Sequence, residues 1–179
     1  LDMDRLAYLR RDSFYTGVSE GNIGSARIIK MLDVADDHLV VESKGIYSIE
    51  NFLTARRLMY WQVYLHKTSV AYERMLISAL LRAKELASQG VELFASPALK
   101  FFLYNHIDPE VFYNNPDCLE NFIQLDDNDI WTALKVWSTH TDKDLSTLSL
   151  GMINRNIFKV EICAEPISEE RKKELTLQI

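Results

Sequence analysis

The stretch from Glu50 to about Ser88 constrains the fold most, because its apolar residues keep helical spacing over almost its whole length. Its first half places Ile49, Phe52, Leu53, Met59, Tyr60 and Val63 on one stripe. Its second half repeats the pattern with Val70, Leu76, Ile77, Leu80, Leu81 and Leu86. Single helices of that length are unusual in globular chains, so a break is expected near "YLHKTS", at Tyr64 to Ser69. Ser48 is the expected cap at its start, and Gly90 the expected stop.

The remaining segments read as shorter elements around that stretch. Residues 1–15 form an expected helix stopped near Gly17, and 25–32 a second, capped by Ser25. Leu39, Val40 and Val41, a polar tip at Ser43-Lys44-Gly45, then Ile46, Tyr47 and Ile49 read as a β-hairpin. Helices are expected over 96–104, 109–114, 116–124, 127–139 and 143–154, most of them starting at or near Asp, Asn, Ser or Pro. Phe158, Val160 and Ile162 alternate with Lys159 and Glu161 as in a strand, and a last helix starts near Ser168. The chain therefore reads as mainly α. One hairpin sits at about 39–49, a helical region spans 1–155, and the start of a C-terminal α+β subdomain spans 156–179.

Composition narrows the function classes. A chain of 179 residues, 47% hydrophobic, can bury one substantial core. No apolar run is long enough to span a bilayer, and no segment has the layout of a secretory signal. Cys118 and Cys163 share no metal-ligand spacing and read as reduced thiols, so a cytoplasmic location is expected. Charge is uneven: residues 1–90 carry 12 Lys/Arg against 11 Asp/Glu, and residues 91–179 carry 8 against 15. No basic stripe is present for an extended nucleic-acid surface. A small polyanion needs only a few convergent cations, and these belong to the first half.

Two places could carry chemistry. Asp4, Tyr8 and Asp12 are four residues apart and share a helix face, with Arg5 beside Asp4. Such a stripe is either a solvated helix surface or a set able to hold a metal, a phosphate and a sugar hydroxyl. Arg56 falls between Phe52, Leu53, Met59 and Tyr60 on the apolar stripe, with Arg57 as its exposed neighbour. A guanidinium there requires an anion, either a buried acid such as Asp12 or a ligand phosphate. Tyr64, His66 and Lys67 cluster at the expected break. His140 and Asp142 precede a helix and read as capping residues, and "LDDND" at 125–129 reads as a helix start rather than a calcium loop.

Taken together, "LDMDRLAYLRRDS" and "FLTARRLMYWQVYLHKT" resemble the HD-domain phosphohydrolases, closest to their deoxynucleoside triphosphate triphosphohydrolase branch. The family pattern D-x-D-[RK]-x-D-Y-[LF]-x-R-D followed by an R…Y-x-H-K block is met in order, and "LSLGMINRNIFKVEI" is similar to a later helix and strand. The resemblance implies that Asp4 is the last ligand of a divalent metal ion (Mg, Mn, Fe, Ni or Zn). None of the four histidines, at 38, 66, 106 and 140, forms the His-Asp pair that supplies the other ligands. It therefore implies a fragment of a longer enzyme, inactive alone.

It also implies that Arg5 and Arg56 contact phosphate, Tyr8 lies against the nucleotide, Asp12 holds the sugar 3′-hydroxyl and Tyr64 excludes a 2′-hydroxyl. His66 and Lys67 match positions that bind an activating nucleotide between subunits, so a homo-oligomer is expected. Ala7 and Leu65 depart from the pattern, where an acid and a polar base-contacting residue are usual. The implied activity is hydrolysis of a dNTP to deoxynucleoside and triphosphate. The alternatives are an HD phosphohydrolase for another nucleotide or phosphoester, and a non-catalytic nucleotide-binding or oligomerisation module.

Overall fold

A computed structural model describes residues 2–160 and 166–176. They form two compact units, Leu1–Val70 and Ala71–Ile179, each with its own core. Among the described residues no helix is long and apolar enough to cross a membrane.

The first unit opens with α1 (Met3–Thr16), capped by the Asp2 carboxylate accepting from the Asp4 amide and ended by Gly17 at φ 72°. A 3-10 turn at Ser19–Gly21 leads to α2 (Ser25–Lys30), whose N-cap is Gly24 rather than Ser25. β1 (Leu32–Ala35) and β2 (His38–Val41) then pair antiparallel, Leu32 opposite Val41 and Ala35 opposite His38. α3 (Ile46–Met59) follows a second 3-10 turn at Ser43–Gly45. The core holds Leu6, Leu9, Ile23, Ile28, Phe52, Ala55 and Met59.

One antiparallel hairpin is therefore present, but it spans 32–41 and not 39–49. Its tip is Asp36-Asp37, with φ of 50° and 61°. Two consecutive left-handed residues make the turn whose twist matches paired strands, and Asp tolerates that conformation. Gly45 has a different task from the tip expected for it. A Cβ there would lie 2.9 Å from Val41 Cγ1 and 3.0 Å from Met31 Cβ, so only glycine lets the chain pass so close. Ile46, Tyr47 and Ile49 belong to the start of α3, which begins two residues before Ser48.

The break expected near "YLHKTS" is present. α3 runs into a π-helical turn, Tyr60–Tyr64, before α4 (Lys67–Ser88) begins. π-turns of this kind occur frequently at functional sites.

In the second unit the buried face of α4 is Ala71, Met75, Ala79, Ala83, Leu86 and Ala87. Leu76 and Leu80 lie at its margin, while Ile77 and Leu81 are exposed. Apolar size pointed to the leucines. The alanines won because small side chains at four-residue spacing let neighbouring elements approach the helix backbone. The left-handed Gly90 ends this region as expected.

The next five helices all begin within one residue of where the sequence indicates. α5 (Pro97–Tyr104), α6 (Pro109–Asn114) and α7 (Pro116–Gln124) have Ser96, Asp108 and Asn115 as N-caps and proline in their first turn. α8 (Asp127–Trp137) has a capping box of Asp126 and Asp129. Trp137, Leu134, Leu145 and Met152 fill the core with the α4 alanines. Cys118 is buried and Cys163 lies outside the described residues. No strand forms at Phe158 to Val160, and Ile162 lies outside the described residues. The last helix, α10 (Glu169–Thr176), begins one residue after Ser168.

Asp142 shows how a cap becomes a tie between elements. It caps α9 (Lys143–Ile153) by accepting from the Leu145 amide at 2.9 Å, and it meets the Arg82 guanidinium at 2.6 and 3.2 Å. The Arg82 contact and the Leu145 amide hold its carboxyl down to about 2. Folding thus favours the ionised form. The contribution is complete above about pH 4 and is lost as pH falls toward 2. Asp142→Ala is expected to cost about 2 kcal/mol near neutral pH, from a lost cap and a lost charged hydrogen bond. Thermal melts of both proteins between pH 6 and pH 2 check this. A melting-temperature gap that does not shrink with acid would refute the assignment.

Candidate functional site

α1 and the π-turn bring the candidate residues together. On α1 the i, i+4, i+8 spacing of Asp4, Tyr8 and Asp12 puts them on one face. That face and the π-turn enclose a cleft of about 360 Å³ lined by Asp4, Tyr8, Arg11, Asp12, Tyr60 and Tyr64. Its central contact spans 52 residues of sequence: the Tyr64 hydroxyl donates to Asp12 Oδ2 at 2.7 Å. The other carboxylate oxygen, Oδ1, accepts from Arg11 Nε at 2.8 Å.

The three tyrosines pack edge to face. The Tyr8 and Tyr64 rings lie 5.8 Å apart, and Tyr60 and Tyr64 lie 5.1 Å apart. The Arg56 guanidinium carbon stands 5.5 Å from the centre of the Tyr60 ring, a cation–π contact.

Electrostatics follow this geometry. Arg11 holds the Asp12 carboxyl below its usual range, and the Tyr64 hydroxyl adds to the effect against the opposing influence of partial burial. Burial, with donation to the Asp12 carboxylate, pushes the Tyr64 phenol well above its ordinary value. The cleft thus presents an ionised carboxylate and a neutral phenol at physiological pH. Burial raises Tyr8, whereas its contact with Tyr8 and the nearby Arg56 lower Tyr60.

Of the residues singled out in the sequence, Asp4, Tyr8, Asp12 and Tyr64 share this cleft. Arg56 lies alongside, lining a smaller recess of about 220 Å³ with Leu53, Arg57 and Tyr60. It is half-buried, and no described carboxylate lies within ion-pairing distance of it; Asp12 is engaged by Arg11 and Tyr64 instead. Leu53, expected on the buried stripe, is exposed. Arg5 pairs with Asp2 at 3.4 Å and does not line the cleft. His66 and Lys67 are exposed at the start of α4, where His66 Nδ1 accepts from the Thr68 amide at 3.3 Å.

Tyr60 and Arg11 are the additions. The signal for Tyr60 was its place four residues after Arg56 and four before Tyr64, masked by its apolar character. Among the described residues no three His, Cys, Asp or Glu side chains converge. These residues therefore do not by themselves make a protein cage for a divalent metal: the cleft offers only the Asp4 and Asp12 carboxylates, and Asp12 is already held by Arg11 and Tyr64.

Comparison with known proteins gives four further findings. Residues 23–95 match the HD associated region. A crystal structure of a phosphohydrolase from Bacteroides thetaiotaomicron superposes with a TM-score of 0.93 at 89% identity, over 99% of this chain and 44% of that one. The Bacillus subtilis protein YwfO is 33% identical over 162 residues, which is 89% of this chain and 35% of that protein. A deoxynucleoside triphosphate triphosphohydrolase SAMHD1 homolog of Dictyostelium discoideum is 32% identical over 119 residues, 66% of this chain and 20% of that protein. The chain thus spans less than half the length of each of these relatives. The HD associated region at 23–95, and a fold shared with a phosphohydrolase at 89% identity, together support kinship with the HD-domain phosphohydrolases.

Proposed function

We propose that this chain is the nucleotide-binding part of an HD-type phosphohydrolase that hydrolyses dNTPs to deoxynucleoside and triphosphate. The Tyr64–Asp12 hydrogen bond carries the reading. It sets a rigid aromatic wall beside an ionised carboxylate. A sugar hydroxyl can donate to that carboxylate, while the ring occupies the space a second hydroxyl would need. Arg56, with no described carboxylate within ion-pairing distance and braced on Tyr60, is free to take an oligophosphate. Arg5 is exposed on α1, the helix that carries Asp12, where its contact with the exposed Asp2 leaves it able to turn to a phosphate. In this reading Asp4 gives one ligand to a divalent metal whose other ligands lie in a longer, homo-oligomeric protein. His66 and Lys67 would bind an activating nucleotide. The likeness to a triphosphohydrolase homolog from Dictyostelium discoideum favours a dNTP over another phosphoester.

Two measurements test this. The 179-residue chain alone should release no deoxynucleoside or triphosphate above background. EDTA-sensitive release by the purified chain would overturn that expectation. In binding assays the chain should prefer a dNTP to the matching ribonucleotide, and Tyr64→Ala should reduce that preference about 10- to 100-fold. Equal affinities for the two nucleotides in the unmodified chain would remove the sugar-reading role and with it the dNTP assignment.

A further inference from the structure

A second cleft lies on the neighbouring face of α1. It encloses about 720 Å³, twice the volume of the candidate substrate cleft, and is lined by Arg10, Arg11, Phe14, Ser19 and Asn22 among others. The helix repeat explains both clefts. Ala7, Arg10, Arg11 and Phe14 are three and four residues apart on one stripe, and Asp4, Tyr8, Arg11 and Asp12 on the adjacent one. Arg11 belongs to both stripes and lines both clefts. Arg10 is exposed, with no described carboxylate within ion-pairing distance. Phe14 is 80% exposed, with one ring edge against Tyr15. The nearby acid, Glu20, accepts from the Ser19 hydroxyl at 3.2 Å and from the Gln62 side chain, and does not line the cleft.

We propose that this cleft is a second site, for an oligophosphate, and that Arg11 couples it to the Asp12–Tyr64 pair. Two guanidinium groups on neighbouring residues, Arg10 and Arg11, with the Asn22 side-chain amide, supply donors for phosphate oxygens along one cleft, while the Ser19 hydroxyl is already given to Glu20. The exposed Phe14 face offers a stacking surface if the phosphates belong to a nucleotide. An anion taking Arg11 competes directly with Asp12, whose Oδ1 now holds that guanidinium at 2.8 Å. Occupancy would loosen Asp12 and, through its other oxygen, the Tyr64 hydroxyl. The coupling is reciprocal: a ligand that engages Asp12 releases Arg11 to the second cleft. The site does not rest on the proposed activity, because binding is read without turnover.

The test follows NMR signals of the Phe14 ring and the Asn22 side-chain amide during titration with inorganic triphosphate. Both should shift, with one apparent Kd. Arg10→Gln, at an exposed position, should weaken that Kd at least 10-fold, and Arg56→Gln should leave it within about 2-fold. In the Arg56→Gln background the Tyr64 ring signal should move with the same Kd. A dATP titration distinguishes the source of the phosphates. Tighter binding than inorganic triphosphate, with the difference removed by Phe14→Ala, assigns a nucleotide; equal binding assigns free oligophosphate. Phe14 and Asn22 signals that stay unmoved at millimolar triphosphate, or that follow a Kd set by Arg56, would overturn the site. A Tyr64 signal that ignores the ligand would overturn the coupling.

Discussion

Arg56→Ala is expected to weaken dNTP binding about 10- to 100-fold while moving the melting temperature of the unliganded protein little. The sequence left two partners open for this guanidinium, a buried acid or a phosphate. The consequences differ: stranding a buried acid costs about 3–5 kcal/mol of stability. Among the described residues there is no such acid to strand. Asp12 is paired with Arg11 and Tyr64, and Arg56 contacts the Tyr60 ring. Losing a cation–π contact that is only half-buried costs about 0.5–2 kcal/mol. Nucleotide titration and thermal melts without ligand check both halves. A large loss of melting temperature with unchanged dNTP affinity would make Arg56 a structural residue.

Trp137→Ala is expected to cost about 3–5 kcal/mol, a large share of the stability of any domain of this size. The side chain is fully buried among Leu134, Leu145, Met152 and the α4 alanines, and the alanines cannot expand to fill the space it leaves. Its indole Nε1 also donates to the Phe94 carbonyl at 2.9 Å. Trp137→Phe keeps most of the apolar volume but leaves that carbonyl without this donor, and should cost a smaller amount, about 1–3 kcal/mol. Urea unfolding of the three proteins gives the order. An alanine variant as stable as the phenylalanine variant would mean that packing around Trp137 is far looser than the structure indicates.

Helix starts and stops were legible in the sequence because they are local chemistry. Ser96-Pro97, Asp108-Pro109, Asn115-Pro116, Asp126 and Asp142 satisfy amides only two or three residues away. Gly90 ends its segment by a conformation that most residues avoid. Neither device needs a distant partner, so neither needs the fold. The i, i+4 stripe of Asp4, Tyr8 and Asp12 is legible for the same reason.

What only the tertiary structure decided is whatever depends on the identity of a remote neighbour. The hairpin formed at 32–41, turning at Asp36-Asp37, and Gly45 instead serves a close pass against Val41 and Met31 that no local pattern displays. The buried face of α4 fell to alanines because approach distance, not side-chain hydrophobicity, chose it. Tyr64 reached Asp12 across 52 positions, and Tyr60 and Arg11 joined the cleft, because α1 and the π-turn meet in space. Sequence spacing sets which side chains share a helix face. Packing sets which faces oppose each other, and the candidate cleft of this chain lies between opposed faces.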